Sequence, residues 1–461
     1  MFAADANRSS PQHHVASENR KQMDAHIKIP DHIYALMQRL NSAGYDCYVV
    51  GGYVRDLLLD RPTHDIDLAT SATPEEIMEV FTGYKVIPTG IEHGTVTVLA
   101  NGDAVEVTTF RKDSDYSDHR HPDLVFFTTS IEDDLSRRDF TINALAWHPG
   151  SGLIDVWGGL SDLANCVIRA VGESDKRFRE DALRILRALR FSSELCFSIE
   201  DATKKALMEQ RQLLSHVAME RFRIEFDRLL RGDGVASVLT DYVAVPGVVI
   251  PELLSLQAHM NGAQSLLDIA VKRVDAVRPN SPLRLAALLY DVDLLSFPED
   301  DREPGHQASA IARRLRYSKA EVNKMEILVA SQAYELIPEI GSVWRALKQW
   351  GEATFQEVLE IRLADKSARD PDNVGSSNEL SEIQAIAESL IREGRNLSLA
   401  DLAIDGNDLI SLGCRGEMIG TVLDELLERV CVDGLANRRD VLLYASGVSA
   451  CERPVSDLPR Q

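Results

Sequence analysis

The chain has 461 residues, 44% hydrophobic and 26% charged, with 17 Pro and 27 Gly, which excludes a collagen, a low-complexity chain or a wholly disordered one. No run approaches the roughly 18–20 uninterrupted apolar residues of a membrane span, so no membrane association is expected. The formal net charge of −22 argues against a broad basic surface for nucleic acid. That charge is unevenly spread: −11 over residues 1–159, +1 over 160–235 and −12 over 236–461. Any RNA contact must therefore use local basic patches, and the central segment is the best place for them. Six cysteines (47, 166, 196, 414, 431, 451) form no CxxC pair, which points to reduced thiols in a cytoplasmic protein.

In chain order, residues 1–26 are polar, without an apolar period, and read as a disordered leader. From Pro30, Ile33, Leu36, Met37 and Leu40 have helical spacing, and Gly44 stops that helix. Tyr48-Val49-Val50 reads as a buried strand running into Gly51-Gly52. Strand-like runs follow at Asp65–Ala69, Gly94–Leu99, Ala104–Phe110 and Leu124–Thr128, with a helix over Pro74–Phe81. After about Gly172 strand signals nearly vanish. Amphipathic helical runs take over at Asp181–Phe191, Ala218–Leu230, Leu283–Tyr290, Ala308–Leu315 and Gly420–Val430, and Ala368–Ser377 reads as a linker. A small mixed head followed by an all-helical body is the expected architecture.

Four constellations carry chemistry. In Gly51-Gly52-Tyr53-Val54-Arg55 a strand ends in two glycines and a helix begins with a cation one turn inside. Glycine permits close backbone approach and N–H groups at a helix start favour phosphate, although a plain strand–helix turn has the same look. Asp65-Ile66-Asp67-Leu68 places two carboxylates at i and i+2, on one face of a strand. Like charges so placed are costly unless a cation neutralises them, which suits Mg²⁺ and phosphoryl chemistry. Glu106, in Val105-Glu106-Val107, offers a third carboxylate. The third run is Arg137-Arg138-Asp139-Phe140-Thr141-Ile142-Asn143-Ala144. In the fourth, Asp181, Arg184, Arg187 and Arg190 recur every three residues, giving one helical face with Ile185, Leu186 and Leu189 toward the other. A salt-bridged surface is the alternative for that ridge; behind a paired-carboxylate strand, a polyphosphate or RNA partner becomes the stronger reading.

In this order, the four elements resemble the bacterial-type (class II) tRNA nucleotidyltransferases and the related bacterial poly(A) polymerases. The resemblance also covers His93-Gly94-Thr95-Val96, Val107-Thr108-Thr109-Phe110-Arg111 and the stretch from Asp175, and is near continuous from Tyr48 to Leu230. Ile404-Asp405-Gly406-Asn407-Asp408-Leu409, then Gly416 and Ile419-Gly420, is similar to the family's C-terminal helical unit. The resemblance implies an α+β chain: a small mixed-sheet nucleotidyltransferase head of the DNA polymerase beta-like kind, then a helical neck, body and tail that hold the tRNA acceptor arm and 3′ end. The corresponding divisions are 27–160, 161–235, 236–367 and 368–461. It further implies Asp65 and Asp67 as Mg²⁺ ligands; Glu106, taken alone an ordinary surface Glu, is read from its strand as an additional catalytic carboxylate beside them. Gly51, Gly52 and Arg55 would meet the triphosphate, and Arg138, Asp139 and Asn143 the nucleotide sugar and phosphates. Asp181, Arg184, Arg187 and Arg190 would form the nucleotide-reading helix for CTP and ATP.

The base logic follows from hydrogen bonding. A carboxylate only accepts and a guanidinium only donates. Cytosine and adenine each present an amino donor beside a ring-nitrogen acceptor, whereas uracil and guanine present a carbonyl beside a ring N–H. Asp181 with Arg184 would therefore accept CTP and ATP and reject UTP and GTP. The expected activity is template-independent addition of CMP, CMP and AMP to tRNA with release of pyrophosphate. Poly(A) addition, CC-only or A-only addition and, from another class, non-catalytic RNA binding are the alternatives. The segment Arg111–Pro122, with Tyr116, Asp118 and Arg120, resembles the flexible loop of full CCA-adding members and favours the first. Leu285–Val292 resembles an HD phosphohydrolase helix in which Tyr290 replaces the metal-binding His, so a degenerate scaffold is expected, with His259 and His306 not serving as ligands.

Overall fold

The computed structural model describes residues 27–63, 65–113, 125–295, 303–370, 374–395 and 397–447. The leader 1–26 and most of the loop 111–122 lie outside the described residues. Contacts divide the chain after Leu254 into two compact units.

The first unit is built on a seven-stranded mixed sheet. Its strands are β1 (Cys47–Val50), β2 (Asp67–Thr70), β3 (Lys85–Gly90), β4 (Thr95–Ala100), β5 (Asp103–Thr109), β8 (Leu145–His148) and β9 (Gly152–Asp155), in the order β3-β4-β5-β2-β1-β8-β9. A short hairpin, β6 (Arg111–Asp113) with β7 (Val125–Phe127), stands apart from it. The helix Asp31–Ser42 buries Ile33, Leu36, Met37 and Leu40, the periodic apolar positions. The helix Pro74–Val80 starts where Thr73 and Glu76 form a capping box with Pro at the first position.

Three strands of this sheet were not expected from the sequence. β8 and β9 are four residues each, joined by a tight turn, and β8 pairs β1 as Val50 with Ala146. β3 contains Pro88 and Gly90, which mask its strand signal and break its register after Ile87. β2 begins at Asp67, so Asp65 lies two residues ahead of the strand rather than within it.

Beyond the sheet, the chain runs through the helices Ser174–Glu180, Leu183–Leu195, Asp201–Gln210 and Met219–Arg231. The last packs its Phe222, Phe226, Leu229 and Leu230 inward, with Phe222 and Phe226 stacked at 5.5 Å. The expected single run Asp181–Phe191 is broken at its start. Asp181 has extended backbone, its carboxylate accepts the Leu183 N–H at 3.1 Å, and the helix begins at Leu183. Asp181 therefore sits at the corner between two helices, not on the helical face of Arg184, Arg187 and Arg190.

The second unit, from Ser255, is helical apart from the two-residue pair Met260–Asn261 and Gln264–Ser265. The helices Leu266–Ala276, Ser281–Leu288, Lys319–Ala330 and Glu352–Arg369 pack together. Trp344, Phe355, Ile383, Leu427 and Leu442 belong to one further core. The expected linker is shorter than Ala368–Ser377: Ala368 and Arg369 end one helix and Val374 begins the next. The Ile404–Leu409 motif is a capping box, in which Asp405 accepts the Asn407 and Asp408 N–H groups ahead of the helix Gly406–Ser411. No described helix is long and apolar enough to cross a membrane.

Candidate active site

β2 and β5 run parallel, with Asp67 directly beside Glu106. This register brings together two acids separated by 39 positions in sequence. Asp65 joins them on the wall of a cleft of about 970 Å³. Although Asp67 opens on the cleft, surrounding protein pushes its carboxyl up to about 6; Glu106 and Asp65 add to the rise and Arg138 opposes it. The carboxylates thus crowd one another in a way that a cation would relieve. Among the described residues no three Asp, Glu, His or Cys groups converge as a ready metal cage. A pair of oxygen donors still fits Mg²⁺, which commonly takes one or two carboxylates and completes its shell with phosphate and water.

Nine of the residues lining the same cleft are arginines. Gly51 has φ +76°, a conformation natural to glycine, and caps the helix Gly52–Leu58. A Cβ on Gly51 would lie 2.7 Å from an Arg138 guanidinium nitrogen, so its smallness gives Arg138 room. Arg138 donates to the Asn143 carbonyl at 3.4 Å and to the buried Asp134 carboxylate at 3.3 Å. Arg55 donates to the Asn143 side-chain oxygen at 2.6 Å and to Asp56 at 2.8 Å. Asn143 in turn donates to Asp139 at 3.0 Å.

Asp139 continues this web to the neck. It accepts two hydrogen bonds from Arg187, at 2.5 and 2.8 Å. Burial alone would raise the Asp139 carboxyl, but Arg187 and Asn143 outweigh it and hold it well below the usual range. Arg187 also faces Glu225 at 3.4 Å, and Glu225 pairs Arg190 at 2.9 Å. Arg190 is nearly enclosed, and burial together with the Arg187 charge lowers its guanidinium to about 10 against the pull of Glu225. Phe191 stands at the centre: its ring has Arg190 at 3.9 Å, Arg55 at 5.0 Å and Arg187 at 5.4 Å.

Asp181 and Arg184 are not paired with each other through their side chains. Asp181 takes Arg221 at 3.1 Å, while Arg184 donates to Glu180 at 2.7 Å and to the Arg137 carbonyl at 2.9 Å. Each is thereby fixed by its own partner. Twelve of the thirteen residues singled out from the sequence line this one cleft, and Gly51 lies behind Arg138. Sequence reasoning missed Glu180, Phe191, Arg221 and Glu225. Of these only Glu225 carried a local signal, an acid set between Phe222 and Phe226 near the buried face of its helix.

The second unit is different at Tyr290. That phenol is buried, and Asp291 beside it accepts from Arg273 at 2.6 Å, from Gln332 at 2.9 Å and from Arg369. His259 is exposed and bonded to the Ser255 carbonyl, and His306 opens a helix.

Residues 47–169 match the family model described as "Poly A polymerase head domain", and 196–243 that described as "Probable RNA and SrmB- binding site of polymerase A". These matches and the mixed-sheet head define a nucleotidyltransferase. The chain is 36% identical over 422 residues to the CCA-adding enzyme of Lactobacillus helveticus, covering 90% of this chain and 97% of that one. Against the crystal structure of the Bacillus stearothermophilus CCA-adding enzyme in complex with CTP, identity is 29%, the TM-score is 0.70, and coverage is 91% of this chain and 97% of that one. The Thermotoga maritima CCA-adding enzyme complexed with tRNA shares the fold at 20% identity and a TM-score of 0.59, over 93% of this chain and 98% of that one. The chain belongs to the CCA-adding enzyme family.

Proposed function

We propose that this protein adds CMP, CMP and AMP, taken from CTP and ATP, to the 3′ ends of tRNA and releases pyrophosphate. The observation that carries this reading is one cleft holding Asp67 and Glu106 side by side, Asp65 on the same wall, and two separately anchored groups suited to reading a base edge, Asp181 and Arg184. Asp65 and Asp67 would hold Mg²⁺, with Glu106 beside Asp67. The ion, when bound, supplies positive charge to the attacking 3′-hydroxyl and the departing pyrophosphate. Arg55, Arg138 and Asn143 orient the triphosphate and sugar. Asp181 and Arg184 accept the amino and ring-nitrogen edge of cytosine or adenine without a nucleic-acid template. Arg187 and Arg190, locked by Asp139 and Glu225, fix the helix that carries Arg184.

Residues 27–160 serve catalysis, 161–235 nucleotide selection, and 236–367 with 368–461 the holding of the tRNA acceptor arm. The five described cysteines are free thiols, which supports a cytoplasmic setting. Incubating the protein with Mg²⁺, a tRNA lacking its CCA and each nucleotide alone or combined tests the reading. Stepwise growth by C, C and A is expected. A ladder of many A residues, growth by C alone or no growth would each overturn it.

A further inference from the structure

Resting on that reading, we propose that Ile224 and Arg228 form the seat for the terminal nucleotide of the RNA acceptor end, Ile224 against the face of its base and Arg228 on its phosphodiester. Both lie on the helix Met219–Arg231 and both line the cleft. That helix buries Phe222, Phe226, Leu229 and Leu230, and at 3.6 residues per turn Ile224 points roughly 200° away from Phe222. Ile224 is 53% exposed. Apart from Pro62, every other apolar side chain on the described cleft wall is half-buried or buried. An exposed isoleucine alone is ordinary on a surface. This one lies on a cleft wall whose other apolar side chains, Pro62 aside, are enclosed by their neighbours, so it leaves an apolar face open to a ligand.

The neighbours specify the occupant. Three residues before Ile224, Arg221 is bound to Asp181, so this part of the helix borders the base-reading corner. Four residues after it, Arg228 is exposed and makes no hydrogen bond or ion pair among the described residues, unlike Arg184, Arg187, Arg190 and Arg221. The triphosphate of the incoming nucleotide has its cations on the head, at Arg55 and Arg138. A spare cation one turn beyond the apolar contact suits a different phosphate, the one joining the RNA terminus to the preceding nucleotide.

Steady-state kinetics of CMP addition to a tRNA lacking CCA, with tRNA binding measured from about 50 to 200 mM salt, tests this seat. Ile224→Ala should raise KM for the tRNA about fivefold, as expected for loss of roughly 40 Å² of apolar contact, with KM for CTP and kcat nearly unchanged. Ile224→Leu should restore the wild-type value. Arg228→Gln should weaken tRNA binding and reduce the slope of log Kd against log salt by about 0.7, one single-strand phosphate contact. A rise confined to KM for CTP would place Ile224 on the incoming base and overturn the proposal. An unmoved tRNA KM in Ile224→Ala, or an unmoved salt slope in Arg228→Gln, would overturn it too. If Ile224→Ala does not fold, Arg228→Gln and Ile224→Leu decide. Wild-type protein that adds no CMP would refute the proposed function, whereas normal wild-type addition with unmoved variants would refute only this seat.

Discussion

In the cleft, Asp139 and Glu225 hold Arg187 and Arg190 beside open solvent; in the helical unit, Asp291 and Asp365 hold Arg273 and Arg369. The parts are the same, but access differs. Arg273 and Asp291 are fully enclosed, and each Arg273 nitrogen is spent: Nε and one terminal nitrogen on Asp365, the other on the Ala287 carbonyl at 2.8 Å. Two guanidiniums there meet two carboxylates, and the ring of Tyr290 lies 4.8 Å from Arg273. The cleft web instead runs along a wall with nine arginines, of which Arg228 is exposed and unpaired among the described residues. The enclosed pair Arg273 and Asp291 has no donor left for a ligand, while the cleft keeps a surplus of arginines for a polyanion. Buried charge by itself therefore does not mark the active site; charge with access does.

The largest effect that sharpens this contrast lies at the acids. Asp67→Ala should lower CMP incorporation by more than about 1000-fold, because a metal ligand acts on the chemical step. Binding of tRNA, measured by gel shift, should persist. Near-normal turnover with Mg²⁺ would remove the carboxylates from the active site.

Next comes the sealed web. Asp291→Ala leaves Arg273 buried with one partner fewer and should cost about 3–5 kcal/mol of stability, read as a fall in denaturation midpoint. The ranking of the four nucleotides should not move. A loss below about 1 kcal/mol would mean that water enters the web and that it is not closed.

How much of this was legible in the sequence differs between the two webs. Gly51-Gly52 carries its meaning in a short spacing, so the turn could be read directly, whereas the spacing of Asp65 and Asp67 predicts one strand face and the strand begins only at Asp67. Glu106 could be named but not placed, since its neighbour Asp67 is fixed by a parallel strand pairing that no local period encodes. Phe191 looked like one more apolar residue of an amphipathic helix, and only the fold shows three guanidiniums around its ring. The Asp181 corner was misread as helix because its i, i+3 spacing to Arg184 is helical, while the capping bond to Leu183 ends that continuity. In the second unit Tyr290 stood out, but Arg273 and Asp365 did not: charged residues on helices read as solvated until the packing encloses them.

A smaller effect tests the proposed base-reading corner. Arg184→Ala should erase about 10- to 100-fold of discrimination against UTP and GTP, a few kcal/mol at most, and should weaken CTP and ATP use. Arg190→Ala should lower kcat/KM for all four nucleotides together, because Arg190 is held by Glu225 and Phe191 and meets the base only through the helix. The measurement is kcat/KM for each nucleotide on one tRNA. A changed ranking in Arg190→Ala with an unchanged one in Arg184→Ala would exchange the two roles.

The smallest effect asks whether protons reach the open web. Asp139 is held below the ordinary carboxylate range, chiefly by Arg187 acting against burial. Folding therefore favours its ionised form, and the stability this adds is complete above the unfolded value of about 4 and is lost as pH falls toward the folded value. Asp139→Asn keeps the shape and removes that titration. At pH 7 the variant should be less stable by about 1–2 kcal/mol, the size of a charge-assisted bond exchanged for a neutral one. Below about pH 4 the gap should narrow, since the carboxylate of the unfolded chain then takes up protons while the folded one keeps its charge until pH nears its lowered value. Denaturation midpoints at pH 7, 5, 4 and 3.5 read this directly. A stability gap that stays constant across those values would mean that Arg187 does not draw on the Asp139 charge, and that the bond from head to neck is one of shape rather than of ions.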